Sequence, residues 1–269
     1  MEIFQYDFIQ KALIISVLIS ILIPLIGVVV VLKRLSTMGE ALSHTSLAGV
    51  AVGLVAGLNP VLMAAIISII ASLAIEYIRK AFPKYSEIAT NVVLSAGIGL
   101  AAVLSGFVEN PANFNSFLFG SLIAVGNFEV GIIIVLSVIV ITVNVLLYKE
   151  LFAITVDEEG AKLSGVPVGR INFIFTIMTA ITVSVASRTV GALMISSLIV
   201  IPVACALLIS KSYKQTVLLS IGFAMLFTLS GLFVSFYFDL KPGGTIVLIG
   251  VAILFVIIIM QKLFRRQSG

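Results

Sequence analysis

Apolar runs of about twenty residues, broken by short polar punctuation, repeat along the whole chain. A run of that length is what a helix needs to cross the hydrocarbon core of a bilayer. In such a core only a helix or a closed barrel satisfies its own backbone. Nine such runs are expected as helices, at approximately 12–32, 41–58, 60–78, 87–107, 128–148, 171–187, 190–209, 216–238 and 244–263. The second and sixth are short, so a count of eight is the alternative. The expected fold is all-α: a polytopic helical membrane protein forming one domain over residues 1–269. The first run, Ala12 to Leu32, is too long for a signal-peptide core and lacks a small-residue cleavage site after it, so it reads as a retained span.

Composition agrees with this pattern. Charged residues make up 10% of the chain and hydrophobic residues 61%, against about 25% charged in soluble domains. The net charge of +4 carries no implication of nucleic-acid binding, because in a membrane protein the position of each basic residue matters more than the total. With nine spans, one side receives Lys33, Arg34, Arg79, Lys80, Lys84, Lys149, Lys162, Arg170, Lys211, Lys214, Lys262, Arg265 and Arg266, which is 13 of the 16 basic residues. The other side keeps Lys11, Arg188 and Lys241. The positive-inside rule then puts the N-terminus outside and the C-terminus in the cytoplasm. The single cysteine, Cys205, excludes an intrachain disulfide and reads as a small buried residue.

Two polar insertions interrupt the spans. Val108 to Asn127, on the outer side, places Phe114, Phe117 and Leu118 at helical spacing and predicts an interfacial or partly re-entrant helix. Residues 149–170 lie on the cytoplasmic side, and within them 155–167 carries the marks of a short helix. Thr155 and Glu158 form a T-x-x-E capping box, Asp157, Glu158 and Glu159 fill the first turn, and Lys162 the last. Gly165 fits a left-handed C′ position, with Pro167 preventing continuation. Val156, Gly160 and Leu163 give this helix an apolar stripe. Spacing alone fits either a loop helix lying on the membrane or a helix that docks on a partner.

The only histidine, His44, lies four residues after Glu40 at the start of an apolar run. That spacing puts both on one helix face. A carboxylate and a neutral imidazole are good ligands for a borderline metal such as zinc. The competing reading is a first-turn glutamate with a hydrogen-bonded histidine. Gly49, Gly53 and Gly57 make a small-residue stripe on the same helix, of the kind that lets another helix approach closely in a membrane. The acidic residues Glu109, Glu129 and Asp239 fall outside, and no site is assigned to them. Glu76 has Arg79 and Lys80 at helical spacing, which predicts an ion pair at the cytoplasmic edge. Ser86 and Glu87 read as the N-cap and first-turn acid of the fourth span.

The run from Leu32 to Gly53, LKRLSTMGEALSHTSLAGVAVG, resembles the signature of the metal-ion permeases of ABC importers. It is most similar to the zinc-uptake branch, whose members carry a similar LSH-SLAGVA run. The resemblance extends over nearly the whole chain: Phe8 to Leu13, LFGS at 118–121, VGALMISSLIVIP at 190–202 and DLKPGGTIVL at 239–248 all resemble stretches of that family. It implies that Glu40 and His44 hold the metal. It also implies that the cytoplasmic helix is the coupling helix, with Thr155, Asp157, Glu158, Glu159, Gly160, Ala161, Leu163 and Gly165 meeting an ATPase. Many relatives, above all in the manganese branch, have aspartate where this chain has Glu40, which leaves manganese or iron as the alternative cargo.

The function expected is the permease of an ATP-driven zinc importer, acting as a homodimer with two cytoplasmic ATP-binding subunits and an extracytoplasmic metal-binding protein. Zinc or manganese would be substrate, with no permanently bound cofactor. No nucleotide-binding motif occurs in the chain, so ATP hydrolysis is expected in the partner and the chain is not itself an enzyme. A self-sufficient ion-coupled carrier is the competing class, although the internal repeats such carriers often show are absent here.

Overall fold

The computed structural model describes residues 7–82, 85–120 and 126–267; Lys84 and Ser121 lie outside them. Among the described residues nine long helices appear, one for each expected run. They are α1 (Asp7–Leu32), α2 (Ser36–Ala56), α3 (Pro60–Ala81), α4 (Ser86–Ser105), α6 (Asn127–Leu146), α9 (Val168–Thr189), α10 (Ile195–Ile209), α11 (Tyr213–Phe238) and α12 (Pro242–Gln267). Three short helices, α5 (Pro111–Phe119), α7 (Tyr148–Val156) and α8 (Glu158–Leu163), lie in the connections, and a 3-10 turn at Ala192–Met194 leads into α10. The described residues contain no strand.

Eight of the long helices are apolar enough to cross a membrane on length and composition. The exception is α2, which Ser36, Thr37, Glu40, Ser43, His44, Thr45 and Ser46 make too polar for that test. Protein, rather than lipid, surrounds it: thirteen of its residues are buried.

α1 is the central post. Ile15, Ile19, Leu22, Ile26, Val29 and Val30 are each buried to within 2% exposure, and α6, α9, α10 and α11 pack around it. A helix that is hydrophobic all round belongs inside a bundle. Lipid tails are as apolar as leucine, so close packing and polar pairs must hold such helices together. Gly27 on α1 supplies the first: a Cβ there would sit 2.7 Å from the Ile199 carbonyl oxygen of α10. Ser20 supplies the second by donating to Thr228 Oγ1 on α11 at 2.9 Å. A second core cluster, with Leu47, Val50, Val61, Ala101, Phe114 and Phe117, joins α2, α3, α4 and α5. α5 thus turns Phe114 and Phe117 into the protein.

α4 begins at Ser86 with Tyr85 in the cap position, so Ser86 is the first helical residue rather than the cap; Glu87 does lie in the first turn. The expected Glu76–Arg79 pair forms at 2.6 Å on α3. Cys205 is fully buried in α10.

Candidate metal face and coupling segment

α1 and α2 meet at a tight elbow. The Leu35 N–H donates to the Val30 carbonyl at 2.8 Å and the Arg34 N–H to the Val31 carbonyl at 3.0 Å. Arg34 takes the left-handed conformation, φ +57°. This pair of hydrogen bonds is the Schellman closure of α1, and α2 starts directly after it.

The rotation of α2 is fixed on several sides. Ser43 donates to the Ala192 carbonyl, and Ser46 shares a hydrogen bond of 3.3 Å with Ser187 of α9. Gly39 faces Ile199 of α10. A Cβ on Gly49 would meet the Met63 carbonyl oxygen at 2.6 Å, and one on Gly53 would meet the Pro60 Cα at 2.8 Å, so this part of the glycine stripe lies against α3. Gly57 departs from the expected stripe. It is the C-cap of α2, at φ +67°, with open space beside it, so it ends the helix instead of packing it. On the other flank Gly97 of α4 approaches the backbone of Thr45 and His44.

What remains uncovered is the strip bearing Glu40, which is exposed, and His44, which is half-buried; Met38, Gly39, Ala41, Leu42, Ser43, Thr45 and Ser46 are all buried. Glu40 and His44 lie one turn apart on one face, as their spacing requires. Together they offer one carboxylate and one imidazole, and the described residues contain no cluster of three or more histidine, cysteine, aspartate or glutamate side chains. The chain thus places two donors of the kinds a divalent transition metal accepts on one helix face, whereas zinc usually takes four ligands.

The 149–170 insertion differs from expectation in its start. Thr155 belongs to α7, where its hydroxyl donates to the Leu151 carbonyl at 2.6 Å. The chain breaks at Asp157, which takes extended backbone and caps α8 by accepting the Gly160 N–H at 3.0 Å. Aspartate competes well for this role because its short carboxylate reaches the free N–H groups of the first turn; the T-x-x-E box pointed two residues too early. The far end forms as predicted. Gly165 has φ +86°, and the Val166 N–H reaches back to the Ala161 carbonyl at 3.0 Å. α8 is thus six residues long. Ala161 is buried, while Glu159, Leu163 and Gly165 are exposed, Leu163 to 89%.

Glu158 is held from two other helices. Its carboxylate lies 2.9 Å from the Lys33 ammonium at the end of α1 and accepts the Asn172 amide of α9 at 3.3 Å. The Asn172 carbonyl oxygen in turn accepts from Lys33 at 2.9 Å.

The pattern of the ABC 3 transport family matches residues 5–262. This chain belongs to that family. Family membership makes it a membrane subunit of a metal transport system and displaces the self-sufficient carrier. The manganese transport system membrane protein MntC of Listeria monocytogenes serovar 1/2a (strain ATCC BAA-679 / EGD-e) is 32% identical over 98% of this chain and 93% of its own length. The high-affinity zinc uptake system membrane protein ZnuB of Haemophilus influenzae (strain ATCC 51907 / DSM 11121 / KW20 / Rd) is 28% identical, covering 98% of this chain and 99% of its own. Among solved structures, PsaBC from Streptococcus pneumoniae in complex with Fab superposes with a TM-score of 0.86 at 26% identity, covering 95% of this chain and 92% of that one.

Two polar clusters of this ABC 3 family chain were not foreseen from its sequence. One is the Lys33–Asn172–Glu158 group, for which a basic residue at a span end gave no sign of its partner. The other joins Arg188 of α9 to Glu129 of α6 at 3.0 Å. The guanidinium also donates to Ser116 of α5 and stacks over the Phe117 ring, 4.4 Å from its centroid. Glu129 is therefore the ion-pair partner of Arg188, which in turn holds α5, and not a solvated loop acid.

The first cluster has a pH signature. Burial raises the Glu158 pKa, but the hydrogen bond and charge of Lys33, the Asn172 amide and the charge of Arg79 outweigh burial and hold it below the ordinary value of 4.5. A carboxyl so lowered stabilises the docked state above its ordinary value, and that contribution is lost as pH falls through the lowered one. Hydrogen exchange of the 157–166 segment, corrected for intrinsic rates, should be flat from about pH 8 to about pH 5 and rise only in stronger acid. A rise at neutral pH would show that the pair does not hold α8.

Proposed function

We propose that this chain is the membrane-spanning permease subunit of an ATP-driven importer of divalent zinc, forming a homodimer over one metal pathway. The observation that carries the reading is the Glu40–His44 strip, left uncovered where the other residues from Met38 to Ser46 are buried. A second protomer related by a two-fold axis doubles any site near that axis, so two carboxylates and two imidazoles would complete a four-ligand position. The whole of residues 1–269 acts as one permease domain in the cell membrane, with α2 as a ninth crossing, the N-terminus outside and the C-terminus in the cytoplasm. The distribution of basic residues supports that orientation. ATP is hydrolysed by two cytoplasmic subunits that meet α8 and its flanks, and an extracytoplasmic binding protein delivers the ion.

Manganese is the second reading. The 32% identical manganese-system relative favours it, and a carboxylate–imidazole pair serves that metal as well. Uptake by the permease reconstituted with its ATPase decides the matter. ATP-dependent zinc accumulation exceeding that of manganese and iron at equal free metal is the expected result; preference for manganese would transfer the assignment to the second reading.

A further inference from the structure

Lys33 is deeply placed for a lysine: its side chain is 12% exposed. A cation so desolvated must be paired, and removing its partner is costly. Its partners come from two other elements, Glu158 on α8 at 2.9 Å and Asn172 on α9 at 2.9 Å, with Asn172 closing the triangle onto Glu158. The recess beside them is lined by Lys33, Leu35, Met38, Glu76, Arg79 and Asn172 among others, so the ends of α1, α3 and α9 and the start of α2 gather around one charged group.

We propose that the Lys33–Asn172–Glu158 clasp is the positioning element through which a displacement of α8 reaches Glu40 and His44. The inference rests on the importer reading above and adds the route that movement takes. A link of this kind works only if each joint is stiff. α8 grips Lys33 by an ion pair and a shared amide rather than by apolar contact, which would slide. Lys33 then enters the Schellman elbow, whose two backbone hydrogen bonds and left-handed Arg34 fix the direction in which α2 leaves. Ser36 opens α2 three residues later, and Glu40 stands one turn beyond, about 6 Å along the axis. The remainder of α2 is hydrogen-bonded to α9 and the Ala192 turn and packed on α3 and α10, so a push at its first turn carries the Glu40–His44 strip together with those neighbours. The chain also runs from α8 into α9 within five residues, and Asn172 makes α9 follow the same displacement.

The test uses the permease reconstituted with its ATPase, measuring ATPase association, ATP hydrolysis and metal taken up per ATP. Lys33 faces the interior, so its replacement leaves the ATPase-facing side of α8 intact. Lys33→Met should lower uptake per ATP about tenfold while association and hydrolysis stay within about twofold, and Lys33→Arg should recover most of the loss. Parental uptake per ATP in Lys33→Met would overturn the clasp. Should that variant fail to insert, Lys33→Cys with Glu158→Cys, bridged by a short bismaleimide, gives an independent answer; the native Cys205 is buried and does not compete. The bridged permease should keep transporting, because the proposal has α8 and the α1 end move together. Loss of uptake with the ATPase still bound would show that they must separate, and would overturn it. Absence of ATP-dependent uptake in the parental complex would instead sink the importer reading itself.

Discussion

Replacing His44 with alanine, or Glu40 with alanine, should reduce ATP-driven metal uptake to background while leaving insertion and ATPase association intact. Neither side chain supports the fold of the protomer. Glu40 is exposed and His44 half-buried on a helix whose other faces carry the packing, so truncation opens no core cavity of the kind that destabilises a bundle. Their value lies in the donor set. On the proposed reading one protomer would present two ligands and a two-fold dimer four, the number zinc takes in closed sites. Losing either residue removes two of the four at once. Even altering an outer-shell partner of a metal ligand costs about 10- to 100-fold in affinity, so removing two ligands directly should leave no measurable transport. Radiolabelled zinc uptake, set against membrane content and co-purified ATPase, checks this. A variant that transports at the parental rate would remove that residue from the site.

The helices were legible because each long apolar run has one stable solution in a membrane, and all nine appear close to where the periodicity put them. Glu40 and His44 could be placed on one face from spacing alone. The strip they occupy could not be read, because which side of α2 is left bare depends on Ser43 reaching Ala192, Ser46 reaching Ser187 and Gly97 approaching Thr45. These contacts join residues far apart in the chain. Gly57 shows the limit of a stripe argument: three glycines at one spacing look alike in sequence, yet the third ends the helix. The Thr155 cap failed for a local reason. Threonine and aspartate two residues apart compete for one helix start, and α7 extends far enough to absorb Thr155.

Leu163→Asp should abolish stable association with the cytoplasmic ATPase while leaving the permease folded. Leu163 ends α8 and is 89% exposed, so the substitution breaks no contact within the protomer, and a surface change of this kind usually shifts stability by no more than about 0.5 kcal/mol. The segment is already held by the Asp157 cap, buried Ala161 and the Glu158 clasp, none of which involves Leu163. A large apolar side chain left uncovered by the protomer on a capped short helix is the kind of anchor that fills a partner's pocket. Aspartate in that pocket would be a desolvated carboxylate without a partner. Loss of an interface hot spot costs about 2 kcal/mol or more, roughly thirtyfold in affinity. Gly160→Asp is a poorer probe, because any Cβ there meets the Asp157 carboxylate that caps the helix, and lost binding would then be confounded with an unravelled α8. The decisive measurement is co-purification of the ATPase with tagged Leu163→Asp permease, alongside the thermal unfolding of the variant alone. Parental unfolding with the ATPase lost assigns Leu163 to the docking contact, whereas parental unfolding with the ATPase retained would place that contact elsewhere on the cytoplasmic face.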